Sequence, residues 1–327
     1  MLALLLVTTT TPSLVAPTKP LPPLRSAVIV PGFLSAASDF TELAAALTAE
    51  GLPTTVVPLS VLDWLPMLGG RSVRPLLERI DHTVRHAAAG VEVPPFEYGL
   101  GDLWADFQSN PGGVLKAGGS DQPDEYPQYD PRGGSQAAAP PPVGRVALIG
   151  HSAGGFSSRI FLSDRTYGGS GGRAYGGSAL VHSLVTLGTP HAEGAGVPFV
   201  TVGWANRETA LPSGVRCLAV AATGTPGDSS GELTRGAYSF CTPSGEGGEL
   251  LDGDGVTTTE SALAFRGAET MTLDGVTHYP WTAPGPVADL VAPELTKAFR
   301  EGKPWFGSDG VREKWSQWLL DGCVDGA

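Results

Sequence analysis

The sequence predicts an α/β fold with a mostly parallel central sheet and helices on both faces. Two observations carry that prediction. Short aliphatic runs at 27–30, 54–59, 146–149, 179–187, 215–222 and 269–273 read as strands, and helical stripes separate several of them. The run Val146-Ala147-Leu148-Ile149 then breaks into Gly150-His151-Ser152-Ala153-Gly154-Gly155, and Phe156, Ile160 and Phe161 follow at helical spacing. A strand that turns sharply into a helix through G-x-S-x-G presents its serine at the carboxyl end of the sheet, with the hydroxyl exposed.

The first strand, 27–30, ends in Pro31-Gly32-Phe33-Leu34, a tight turn one helix before the next strand. Asp39 is expected to cap a helix whose apolar face is Phe40, Leu43, Ala44 and Leu47, closed by Gly51. Val73, Leu76, Leu77, Ile80 and Val84 form one stripe of a second helix running to about Ala88. His82 and His86 lie four apart on it, a spacing that can bind metal. No H-E-x-x-H pattern completes it, so they read as surface histidines. Trp64, Leu65, Met67 and Leu68 are expected in the core, with an apolar acyl site as the alternative.

Between 90 and 144 the composition shifts to Pro, Gly and acidic residues that cannot build a packed core. This segment reads as an insertion ahead of the serine strand. Trp104 and Phe107 would fold part of it over the site as a lid, which would also supply a peripheral membrane contact; a solvated loop is the alternative.

Composition narrows the function classes. The formal net charge of -12 argues against nucleic acid and against electrostatic attachment to anionic lipid. The 45 Gly and 29 Pro predict long loops. Three cysteines make no disulfide framework and no zinc pattern: Cys217 reads as a buried thiol, and a single Cys217–Cys241 bridge stays open. No stretch approaches the roughly 20 apolar residues of a membrane span. Residues 1–25 are apolar, then rich in Thr, Ser and Pro, with no acid before Asp39, and read as an organelle-targeting leader, a secretory signal being the second reading. One main domain would then occupy 26–327.

An activated serine needs a base, an acid and oxyanion donors. In the α/β-hydrolase order the acid follows the serine and the histidine comes last. His191 comes one strand too early and His182 lies inside a strand. His278, in a loop after the last strand, fits the base. The acid falls in Asp252-Gly253-Asp254-Gly255, between the last two strands, and chain order leaves both aspartates open. The amide of Ala153 stands at a helix N-terminus aimed at an oxyanion, and Phe33, or Leu34 beside it, would give the second donor. No metal or other cofactor is required.

These motifs occur together with Leu62-Asp63-Trp64-Leu65, Leu184-Val185-Thr186-Leu187-Gly188-Thr189-Pro190-His191, Asp252-Gly253-Asp254-Gly255-Val256, Gly275-Val276-Thr277-His278 and Pro304-Trp305-Phe306-Gly307-Ser308. In that order they resemble the lipase-like α/β-hydrolases of plants, algae and cyanobacteria often labelled similar to GPI inositol-deacylase. The resemblance covers about 27–320, broken by the insertion. It implies serine ester hydrolysis, often of acyl lipids, and a plastid location in photosynthetic members. It also implies a triad at Ser152, Asp254 and His278, with an oxyanion hole at Phe33 and Ala153. Members commonly carry Val-Pro after the acidic turn, where this chain has Val256-Thr257-Thr258, and the 90–144 insertion is not part of the group's core. The same triad would serve an acyltransferase, and a ligand-binding module on this fold is the reading from another class.

Overall fold

The structure is a computed structural model that describes residues 23–64, 67, 73–96, 139–167, 173–196, 198–279, 297 and 301–324. Of the expected leader, residues 1–22 lie outside the described residues, as do Leu65, Leu68, and Trp104 and Phe107 in the greater part of the insertion; Leu24 and Arg25, at the expected leader's end, belong to the first strand.

Six strands form one parallel sheet: β1 (Leu24–Val30), β2 (Thr54–Val56), β3 (Arg145–His151), β4 (Val181–Leu187), β5 (Arg216–Thr223) and β6 (Glu269–Asp274), in the order β2-β1-β3-β4-β5-β6. Described helices are α1 (Thr41–Ala49), α2 (Arg74–Ala89), α3 (Ala153–Leu162), α4 (Pro198–Glu208), α5 (Glu232–Phe240), α6 (Thr259–Leu263) and α7 (Arg312–Val324). The strands alternate between two cores, as a pleat requires of a sheet covered on both sides. Val28, Val30, Val146, Leu148 and Leu184 pack with Leu76, Ile80, Phe156 and Ile160 of α2 and α3. Ala27, Ile29, Ala147, Ile149 and Val185 pack with Leu43 and Leu47 of α1 and Trp315 and Leu319 of α7. Each large side chain buried this way contributes roughly 1.5–3 kcal/mol.

Several local expectations shift. The strand expected at 54–59 stops at Val56; Pro58, without an N–H, cannot extend the ladder. Asp39 does not cap α1; its carboxylate accepts the Ala36 amide at 2.8 Å, inside a 3-10 turn at Ala37–Phe40 that precedes that helix. The expected strand at 179–187 begins at Val181, because 177–179 forms another 3-10 turn after Gly176 at φ 60°. Helix α2 ends where Gly90 adopts φ 70°.

The largest correction concerns α2. His82 and His86 are not surface histidines: both are buried, with Nε2 of His82 3.0 Å from the Pro94 carbonyl and Nδ1 of His86 2.8 Å from that of His82. Phe96 packs against the His82 ring, so chain just beyond the helix closes over its outer face. Arg173 seals the same face with ion pairs to Glu78 at 3.2 Å and Asp81 at 2.6 Å. Cys217 and Cys241 are both buried and free, so they form no bridge, and burial pushes their thiols up to about 12 and about 11. Trp64 and Met67 lie in the core. No helix among the described residues is long and apolar enough to cross a membrane.

Candidate active site

Register brings three loop starts together. Val30 of β1 is opposite Gly150 of β3, and His151 is opposite Leu187 of β4. The residues just past those strand ends, at Gly32, Ser152 and Gly188, therefore meet at one edge of the sheet.

Ser152 sits between β3 and α3 with φ 51° and ψ −124°, a left-handed backbone that costs a non-glycine residue on the order of 1–3 kcal/mol. Its neighbours hold it there. A Cβ on Gly150 would lie 2.5 Å from Gly155 Cα, and one on Gly154 only 2.2 Å from the Val30 carbonyl oxygen. The Ser152 amide is used by the Leu187 carbonyl at 2.9 Å. Ser152 is thus a strained residue at the turn from a central parallel strand into a helix, the geometry that G-x-S-x-G predicts for a nucleophile elbow. The chain has an α/β fold of the α/β-hydrolase type in its sheet order and in this strand-to-helix turn.

Helix α3 opens at Ala153, whose amide belongs to the first turn and has no intrahelical acceptor. On the other side Gly32 lies against the elbow: a Cβ there would come within 2.8 Å of Ser152 Cβ. The Gly32–Ser35 turn is closed by a 3.0 Å hydrogen bond and carries Leu34 at φ 59°. Phe33 packs edge-on against Trp64 at 5.9 Å, and the Trp64 indole donates to the Ser35 carbonyl at 3.1 Å. Of the two expected oxyanion residues, Ala153 follows Ser152 directly and Phe33 follows the glycine that packs against it.

The histidine and the acid meet. His278 Nδ1 lies 2.7 Å from Asp254 Oδ2, with both side chains almost fully buried. A carboxylate only accepts, so Nδ1 carries a proton, and in the neutral ring the lone pair is therefore on Nε2. A second bond, from the His278 amide to the Asp254 carbonyl at 3.0 Å, fixes the two loops to each other. The other carboxylate oxygen of Asp254 accepts the amides of Val256 at 2.9 Å and Thr257 at 2.7 Å. A proline at 257, as the resembled group commonly has there, would withdraw the second donor.

Asp252 does not approach His278. Its carboxylate accepts the amides of Gly224 at 3.0 Å, Thr225 at 2.8 Å and Gly253 at 2.8 Å, tying the acidic turn to the end of β5. Tyr238 does the same from α5: its hydroxyl accepts the Gly255 amide and donates to the Thr225 carbonyl, each at 2.8 Å. Gly188, at φ 55°, is the point of closest approach. A Cβ there would lie 2.5 Å from Asp254 Oδ2 and 3.1 Å from His278 Nδ1. The residue that follows Leu187, the acceptor of the Ser152 amide, therefore touches the His–Asp pair as well.

Reading the sequence does not single out Gly188 or Tyr238. The Gly188-Thr189-Pro190 turn was the one available signal for the glycine. The remaining early candidate, His191, is buried away from this pair. Its ring is within hydrogen-bond reach of Arg159 at 3.2 Å and Thr186 at 3.1 Å, and burial with that guanidinium holds its pKa well below the usual range. A cavity of about 1200 Å³ at the C-terminal ends of α3 and α4 is lined by Arg159, His191 and Asn206 but includes neither Ser152 nor His278. Among the described residues, no three His, Cys, Asp or Glu side chains stand together as a metal-ligand set.

No protein-family model matches the chain, and no curated protein matches it in sequence. Among solved structures it is similar to a metagenomic carboxyl esterase at 11% identity and TM-score 0.43, covering 90% of this chain and 80% of that one. It is also similar to a thioesterase of the prodiginine biosynthetic pathway in Streptomyces coelicolor, at 13% identity and TM-score 0.31, covering 88% of this chain and 96% of that one.

Proposed function

We propose that the protein is a serine hydrolase that cleaves carboxylic esters through an acyl-enzyme. The observation that supports this most is the buried 2.7 Å bond between His278 and Asp254, brought by Gly188 to the edge that carries the strained Ser152. His278 Nε2 takes the proton of Ser152 Oγ as the oxygen attacks the ester carbonyl. Asp254 holds the Nδ1–H tautomer and stabilises the imidazolium. The amides of Ala153 and Phe33 receive the oxyanion, each worth roughly 3–4 kcal/mol in comparable sites. The protonated histidine then gives its proton to the leaving alcohol. Water repeats the sequence on the acyl-enzyme and releases the acid.

Acyl lipids are the substrate class we favour, as the resemblance to the lipase-like group implies. Exposed Leu34, Val61 and Leu62 support an apolar substrate. Leu34 lies within the Gly32–Ser35 turn, and the Ala37 amide on the Leu59 carbonyl at 2.9 Å joins that turn's chain to the segment of Val61 and Leu62. A chain-length series of p-nitrophenyl esters tests the activity. The wild type is expected to turn over, with longer acyl chains preferred. Ser152→Ala is expected to lose on the order of a thousandfold or more in kcat. Equal turnover by that variant would refute the assignment.

A further inference from the structure

His151, the residue before the serine, has no part in the mechanism above, yet it occupies the centre of the site. It is 1% exposed, and its Nε2 lies 2.8 Å from the main-chain carbonyl oxygen of His278. A carbonyl only accepts, so Nε2 carries the proton and Nδ1 is bare. Among the described residues that bare nitrogen is buried without a partner, and it faces Gly32, where a Cβ would lie 2.6 Å away. The ring is hemmed in by His278 at 4.7 Å, Phe40 at 5.4 Å and Trp305 at 6.2 Å between centroids. Leaving a buried polar atom unsatisfied costs roughly 1–3 kcal/mol, so an aliphatic residue would be the better filler if filling were the task. What histidine adds here is a donor aimed at one carbonyl.

We infer that His151 is a positioning residue for the base: its Nε2–H holds the His278 main chain and thereby fixes the imidazole relative to Ser152. This role rests on the serine-hydrolase reading. The peptide chain makes the coupling direct, because His151 and Ser152 are adjacent at the end of β3. Nucleophile and base are therefore referenced to the same strand end. Gly32, on the oxyanion side, packs against the same ring, so three catalytic loops converge on one side chain. Burial and the neighbouring His278 hold the His151 pKa well below the ordinary histidine range. It thus stays neutral while His278 acquires the proton of Ser152.

The test compares His151→Gln, whose amide can donate from a similar position, with His151→Met, which fills similar space and cannot. The readouts are the rate of labelling by a fluorophosphonate probe, and kcat and KM on a p-nitrophenyl ester. Loss of one hydrogen bond's worth of alignment predicts about tenfold slower labelling for Met, read as kcat at nearly constant KM, and recovery to within about threefold by Gln. Equal rates in Met and wild type, or equal losses in Met and Gln, would overturn the role. Should the Met variant not fold, the ¹⁵N spectrum of histidine-labelled wild type decides. A Nε2–H tautomer that persists from pH 6 to 8 supports the role, and a Nδ1–H tautomer or titration in that range overturns it. Wild-type protein that shows no Ser152-dependent labelling would instead overturn the hydrolase reading, a distinguishable result.

Discussion

Ser152 accepts a backbone at φ 51° that a serine would not adopt on its own, and the glycines around it show what the strain secures. Gly188 is the most exacting. At φ 55°, with Asp254 Oδ2 2.5 Å from where its Cβ would stand, Gly188→Ala must displace the acid or bend the chain. We expect it to lose roughly 1–2 kcal/mol of stability from the backbone alone, and tenfold or more in probe-labelling rate. Normal labelling in that variant would show that Gly188 does not gate the pair. The two aspartates should separate as sharply. Asp254→Asn places an amide group against Nδ1–H and favours the wrong tautomer, for an expected loss on the order of 10³–10⁴ in kcat. Asp252→Asn keeps an acceptor for the β5 amides and should cost far less, and the reverse ranking would reassign the acid. The motif pointed to Ser152 and chain order to His278, and the positions expected of them are the ones observed, a strand-to-helix turn and the loop after β6. Chain order left Asp252 and Asp254 open, and only the resemblance pointed to Asp254, since two positions of offset decide which carboxylate reaches a loop 24 residues away. Gly188 and Tyr238 act across strand and helix boundaries, and no local pattern encodes such contacts.

At the scale of elements, the aliphatic runs marked each strand, and the crossover pattern marked the parallel sheet. The ends were less legible where turns intervened, as at Pro58 and the 177–179 turn. Helix α2 shows what periodicity leaves out. Its apolar stripe was evident, but its opposite face is covered by the 91–96 and 173–175 segments, and that long-range cover buries Glu78, Asp81, His82 and His86. Arg173 is central to it. Arg173→Ala would leave Glu78 with Arg74 at 3.7 Å and Asp81 with Arg85 at 2.8 Å as the remaining ion pairs among the described residues. Removing one partner of a buried ion network usually costs about 3–5 kcal/mol, and these residual pairs should soften it to about 2–3. Urea unfolding of the variant measures this. A change below about 0.5 kcal/mol would mean that the network is no more than a solvated surface.

For the whole molecule, the buried histidines set a pH dependence. Burial keeps His151 and His191 well below 6.5 when folded, whereas the unfolded chain titrates them near 6.5. Above 6.5 neither state is protonated there, and stability is at its full value. As pH falls below 6.5, the unfolded chain takes up protons that the folded one refuses. Stability should then decline on the order of 1 kcal/mol per pH unit for each histidine. The urea midpoint is therefore expected to drop between pH 7.5 and 5.5, less so in His191→Gln, and an unchanged midpoint would contradict the burial of these rings as neutral groups.

Every role proposed for the site depends on Ser152 being a nucleophile activated by the His278–Asp254 pair. Labelling of purified protein with a fluorophosphonate, followed by peptide mapping, tests it most directly. A single adduct on Ser152 is expected, absent in Ser152→Ala and strongly slowed in His278→Ala. A folded wild-type protein that takes no label, or takes it on another residue, would contradict it.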